Sequence, residues 1–107
     1  MAVKIAALDY RSTQSQLDSQ TTAINAFLTD KTVTKLIVVD EFIMAHYSAT
    51  PPAVPTKVKL FNLSNSIHDN GIAATETAIQ NFISGNVTAM VQDPIALDSG
   101  VIVLVYR

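Results

Sequence analysis

His46 and His68 are the only histidines of the chain, and His68 is followed by Asp69. A histidine beside a carboxylate is the simplest base dyad, but neighbours in an extended segment point apart. A metal centre needs three or four converging ligands. The chain has no HxH or HxxxH spacing and no cysteine, which excludes thiolate sites, disulfides and a cysteine nucleophile. No serine sits in a G-x-S-x-G elbow. Gly71, Gly85 and Gly100 are too widely spaced to cradle a phosphate. What remains is a set of polar residues after two apolar segments: Asp9 and Tyr10 after the first, Ser64, Asn65 and His68 after the second. Loops at strand ends are where small sheets place ligands. Asp9, Tyr10, Asn65 and His68 are therefore the candidate ligand-binding residues, with Asp40, Glu41 and Asp93 as further lining of a polar pocket. The same residue types also serve turns and helix caps. No cofactor and no metal is implied, and the expectation is a protein without catalytic activity.

The elements that must position these residues follow from hydrophobic spacing. Val3 to Asp9 is short and apolar and reads as a strand. Leu17, Thr21, Ile24 and Leu28 recur at helical spacing, with Ser12, Thr13 and Ser15 as candidate N-caps, so a helix is expected over about 13–29. Gln14, Gln16, Asp18, Gln20 and Asn25 fall mostly on its other faces. Val33 to Val39 and Phe42 to Tyr47 are β-rich. Asp40-Glu41 lacks the glycine of a tight primed turn, so a hairpin and one long bulged strand both remain open. Residues 48–56 hold Pro51, Pro52 and Pro55 and form a linker. Lys57 to Leu63 reads as a strand, and 64–71 as a polar loop. Ile72, Thr75, Ile79, Phe82 and Ile83 form a second helical stripe ending at Gly85-Asn86, a good C-cap pair. Val87 to Val91 is expected as a strand, 93–100 as a loop and Val101 to Arg107 as the last strand.

This order occurs twice. At an offset of 55, Val3-Lys4-Ile5 meets Val58-Lys59-Leu60, and Thr22-Ala23-Ile24-Asn25-Ala26-Phe27-Leu28 meets Thr77-Ala78-Ile79-Gln80-Asn81-Phe82-Ile83. One deletion later, Val33 to Ile37 meets Val87 to Val91, and Tyr47 meets Tyr106 with slightly more drift. The expectation is a single α+β domain of two β-α-β-β repeats, about 1–48 and 57–107. A pseudo-twofold would relate them, with a mixed or antiparallel sheet carrying both helices on one face.

Composition sets the remaining bounds. In 107 residues, 49% are hydrophobic and only 15% charged. So few charges leave little polar material to cover the surface, which points to a face covered by another chain. The net charge of −2, with scattered basic residues, argues against nucleic acid as a partner. No stretch approaches the ~20 apolar residues of a membrane span, and no secretory signal opens the chain. A cytoplasmic or virion-associated location is expected. In Val101-Ile102-Val103-Leu104-Val105-Tyr106 both alternating faces are apolar, unlike a strand with one wet face. Such a strand should be internal to its sheet, with one face on the helices and the other on a second layer, expected to be a twofold-related subunit.

Val58-Lys59-Leu60-Phe61, then Ala78-Ile79-Gln80-Asn81-Phe82-Ile83, then the closing Val103-Leu104-Val105-Tyr106-Arg107, together resemble a family of short β-α-β-β sporulation proteins of spore-forming bacteria. The resemblance covers roughly half the chain, mostly at core positions, and carries no catalytic residues across. It implies that two units, which would otherwise pair as a homodimer, are fused here. The low-charge, Ala/Thr/Val/Ile-rich composition is also similar to that of phage structural and accessory proteins. Two functions are thus expected: an oligomer-forming structural or accessory protein, or a small-molecule-binding domain with a cleft between the repeats.

Overall fold

A computed structural model describes residues 2–7, 13–39, 42–62, 71–97 and 100–107. The element order is β1 (Ala2–Ala7), α1 (Gln14–Leu28), β2 (Thr32–Val39), β3 (Phe42–Ser48), β4 (Lys57–Asn62), α2 (Gly71–Asn86), β5 (Ile95–Ala96) and β6 (Val101–Tyr106). The strands form two antiparallel three-stranded sheets, β1-β3-β2 and β4-β6-β5. In each, the last strand of the unit lies in the middle.

The ladders repeat as well as the order. Ala2 pairs with Tyr47 and Ala7 with Phe42, while Lys57 pairs with Tyr106 and Asn62 with Val101. Every first-strand residue is thus matched at an offset of 55 and every last-strand residue at 59. Because side chains alternate along a strand, equal register gives each sheet the same two faces. One face carries Lys4, Ala6, Ile43, Ala45 and Tyr47 in the first sheet, and Lys59, Phe61, Ile102, Leu104 and Tyr106 in the second. It is called the helix face here. The other, the open face, carries Val3, Ile5, Phe42 and Met44, or Val58, Leu60, Val101 and Val103.

Each helix packs its phenylalanine on the helix face of its own sheet. Phe27 meets Tyr47 edge-on at 5.2 Å between centroids, and Phe82 meets Tyr106 at 5.3 Å. Lys4 lies 5.0 Å from the Phe27 ring and Lys59 5.5 Å from that of Phe82. Such edge-to-face and cation–ring contacts favour one ring orientation. Ile24, Phe27, Ile79 and Phe82 are all partly buried. α1 starts with a capping box, in which Thr13 accepts from the Gln16 N–H and Gln16 returns a bond to the Thr13 N–H.

Of the two readings left open for 33–47, the hairpin is the one observed: β2 pairs antiparallel with β3, with Val39 opposite Phe42 and an irregularity between Val33 and Lys35. Several other sequence expectations need correction. Gly85-Asn86 closes the last turn of α2 instead of capping it, since the Val87 N–H still reaches the Ile83 carbonyl. Residues 87–91 are not a full strand. Met90 bridges to Tyr106, but the next paired residues are Ile95 and Val103, five positions on against three. The two extra residues and Pro94, which has no N–H for the ladder, interrupt the strand. Only Ile95–Ala96 regains regular pairing, within the stretch expected as a loop.

A single sheet with both helices on one face is not observed either. To extend the second sheet, β4 would have to pair at its outer edge, and α1 occupies that edge. The Asn25 side chain accepts from the Val58 N–H (2.8 Å) and donates to the Val58 carbonyl (3.0 Å). Gln14 likewise donates to the Leu60 carbonyl (2.9 Å) and accepts from the Asn62 N–H (2.8 Å). Two amide side chains thus stand in for a neighbouring strand.

β6 is internal, as its composition demands. Its Leu104 and Tyr106 pack with Phe61, Ile79 and Phe82 under α2. Its Val101, Val103 and Val105 join a second buried cluster with Val58 and Leu60, with Leu17 and Leu28 of α1, and with Leu36, Ile43 and Ala45 of the first sheet. The second layer expected from a partner subunit is therefore the first repeat of the same chain. Nor does the burial follow a twofold axis. Val58 and Leu60 are fully buried whereas the matching Val3 and Ile5 are exposed.

Candidate functional site

Asp9, Tyr10, Asn65 and His68, the residues singled out for ligand binding, lie outside the described residues, as do Asp40 and Glu41. Asp93 is exposed, and His46 sits on the open face of the first sheet between Val3 and Lys35. Among the described residues no three of His, Asp and Glu are grouped as metal ligands, and no helix is long and apolar enough to cross a membrane.

Among the described residues, two concavities lie in repeat-equivalent places, each between a helix and the first strand of its unit. The first, of about 340 Å³, lies under α1 and is lined by Lys4, Ala6, Ala23, Phe27, Leu36 and Ala45, among others. The second, of about 330 Å³, is lined by Lys59, Phe61 and Ala78, with Gln14, Asn62 and Thr75. Lys4, Ala6 and Ala23 correspond to Lys59, Phe61 and Ala78. The first hollow is the more apolar because Gln14, Asn62 and Thr75 line the second, whereas all lining residues of the first except Lys4 are apolar. Lys4 is its only charged lining residue, so it can accept an apolar group and offer one ammonium to an anion. It holds no nucleophile or acid–base pair.

The second hollow opens where α1 of the first repeat meets β4 of the second. There Lys59 donates to Asp18 at 2.7 Å, and Gln14 donates to the same carboxylate oxygen at 2.9 Å. Partial burial alone would raise the Asp18 pKa, but the hydrogen bonds from Lys59 and Gln14 and the Lys59 charge outweigh it, and the group is held below 3.8. Burial against α2 pushes the Tyr106 phenol above its ordinary value.

Gln14, Asp18 and Asn25, which helical spacing places mostly off the apolar stripe of α1, are ties between the repeats. For Asn25 alone the sequence carries a signal, the carboxamide kept in both copies as Asn25 and Gln80; Asp18 matches Ala73 and Gln14 matches Asp69. Comparison with known proteins adds nothing to this geometry: no family model, curated protein or solved structure matches the chain.

Proposed function

We propose that this chain is a non-enzymatic structural or accessory protein that works by forming oligomers. It is built from a duplicated β-α-β-β unit, and its composition suggests a bacterial or phage setting, as does the resemblance to short sporulation proteins. The observation that carries the reading is the open face of the first sheet. Val3, Ile5 and Phe42 stand exposed there, with the partly buried Ile37 and Met44 among them, and His46 and Lys35 form the polar row beside Val3. Scattered exposed apolar residues are ordinary, but a contiguous apolar face marks an interaction surface. Sedimentation velocity across a concentration series tests it. The expected result is reversible association in the micromolar range, and a clean monomer throughout would end the reading.

The hollow under α1 favours a second reading, binding of a small apolar anion against Lys4. Its volume sits near the lower end for ligand pockets, and one cation is less than the several convergent polar groups such sites use. Titration with a medium-chain carboxylate, followed by NMR at Ala23 and Ala45, tests it. Unmoved resonances at those two residues would remove it.

A further inference from the structure

Five exposed apolar residues, three on the first repeat and two on the second, correspond to residues buried at the internal junction. Val3, Ile5 and Phe42 on the open face of the first repeat match Val58, Leu60 and Val101 on the open face of the second. Across the junction, Leu28 and Leu36 of the first repeat join the cluster formed with that buried face. Their counterparts Ile83 and Met90 lie exposed at the far end of the second repeat. The five exposed residues are between 37% and 57% accessible, and their five counterparts 4% or less. Each repeat thus carries a surface that receives and a surface that is received, and the chain has used one of each.

We infer that the open face of the first repeat binds the α2 end of a second copy of this chain, reproducing the internal junction between molecules. This rests on the oligomer-forming reading and specifies its geometry. The contact joins two different surfaces, so it is heterologous and propagates until a ring closes or a filament grows. A second copy is the occupant because the surface that fits this kind of face is already present on the same chain. One polar tie of the junction has its counterpart in place. Asn25 pairs with the outward N–H and carbonyl of Val58, and in the docked copy Gln80 takes the same position opposite the outward edge of Val3. The outer edge of β1 would then be covered; natural sheets cover, charge or interrupt such edges. A twofold dimer, by contrast, would pair the open face with itself and leave Ile83 and Met90 in water.

The test uses three single variants of the full chain. Ile5→Asp and Val3→Asp each spoil the receiving face, and Ile83→Asp spoils the received one; Val3→Asp is made separately because Ile5 also borders the hollow under α1 and Val3 does not. Circular dichroism and thermal melting check that each variant folds. Wild type is expected to form a concentration-dependent series of oligomers, and each variant alone a monomer. Mixed in equal amounts, a receiving-face and a received-face variant should form one heterodimer and nothing larger, since each keeps one sound surface. An Ile83→Asp protein that still dimerises would overturn the heterologous contact and leave the oligomer reading standing, as would a mixture that fails to complement. A monomeric wild type would remove both.

Discussion

The two halves of this molecule share strand order, ladder register and an aromatic pair, and they differ in what lies against them. Leu60 is wholly buried beneath α1 and the first sheet, whereas Ile5, its counterpart in the ladder, faces solvent. Asn25 holds the edge of β4, whereas Gln80 is exposed. The unit's strand order and register thus recur in two different surroundings, and its burial depends on its place in the stack. Solenoid repeats behave in the same way, with stability the sum of unit and interface contributions.

The contrast should be largest for charge introduced into matched strands. Val103→Lys places an ammonium in the cluster between the repeats and is expected to prevent folding. Leu104→Lys does the same under α2, because both faces of β6 are covered by the chain itself. Recovery of a folded, soluble Leu104→Lys protein would mean that α2 does not cover that face. Truncation gives the graded version. Leu60→Ala should cost about 2–5 kcal/mol in urea titration, and Ile5→Ala, measured on dilute monomer, less than about 0.5 kcal/mol. Equal costs would show that the two sheets are buried alike. Phe82→Ala should cost about 3 kcal/mol, at the low end for a core aromatic because the ring is only partly buried, although it touches both Phe61 and Tyr106.

The edge ties come next. Asn25→Ala leaves the N–H and carbonyl of Val58 without their partner at a part-buried edge, a loss of about 1–3 kcal/mol. Gln80→Ala should change monomer stability by no more than about 0.5 kcal/mol. A measured loss for Gln80→Ala matching that of Asn25→Ala would restore the twofold relation that burial argues against.

How much of this could be read from the residues divides along the same line. The repeat, both helices, the Thr13 cap and the internal position of β6 follow from spacing and composition, which are local properties. The matched rings at 27 and 82 follow from the repeat and from helical spacing together. Which open face would be covered was not legible, because Val3-Lys4-Ile5 and Val58-Lys59-Leu60 are nearly the same string. Pro94 gave notice of an interruption, yet 87–91 looked as β-rich as 33–37, and propensity alone cannot place a two-residue insertion in a ladder. Gln14, Asp18 and Asn25 looked like a solvated face because helical periodicity registers polarity and not what the polarity meets.

The smallest expected effect lies at the one ion pair found between the repeats among the described residues. Lys59 and Asp18 are 2.7 Å apart, and the carboxylate side chain is about half exposed at 49%. At the other end of the molecule Lys4 has no such partner to expect from α2, because the residue matching Asp18 is Ala73. Exposed pairs of this kind contribute about 0.2–1 kcal/mol and are screened by salt. Asp18 is held below 3.8 in the folded chain, so its folded pKa is the lower of the two states. Its contribution is present above the unfolded value and fades as pH falls through the folded one. Asp18→Asn should therefore lower the urea midpoint slightly at neutral pH and low salt. The difference should shrink towards zero in strong acid, where wild type has lost the same charge, and also in high salt. A deficit that persisted unchanged in acid would assign the effect to the Gln14 and Lys59 hydrogen bonds that an amide disturbs, and not to the charge across the junction.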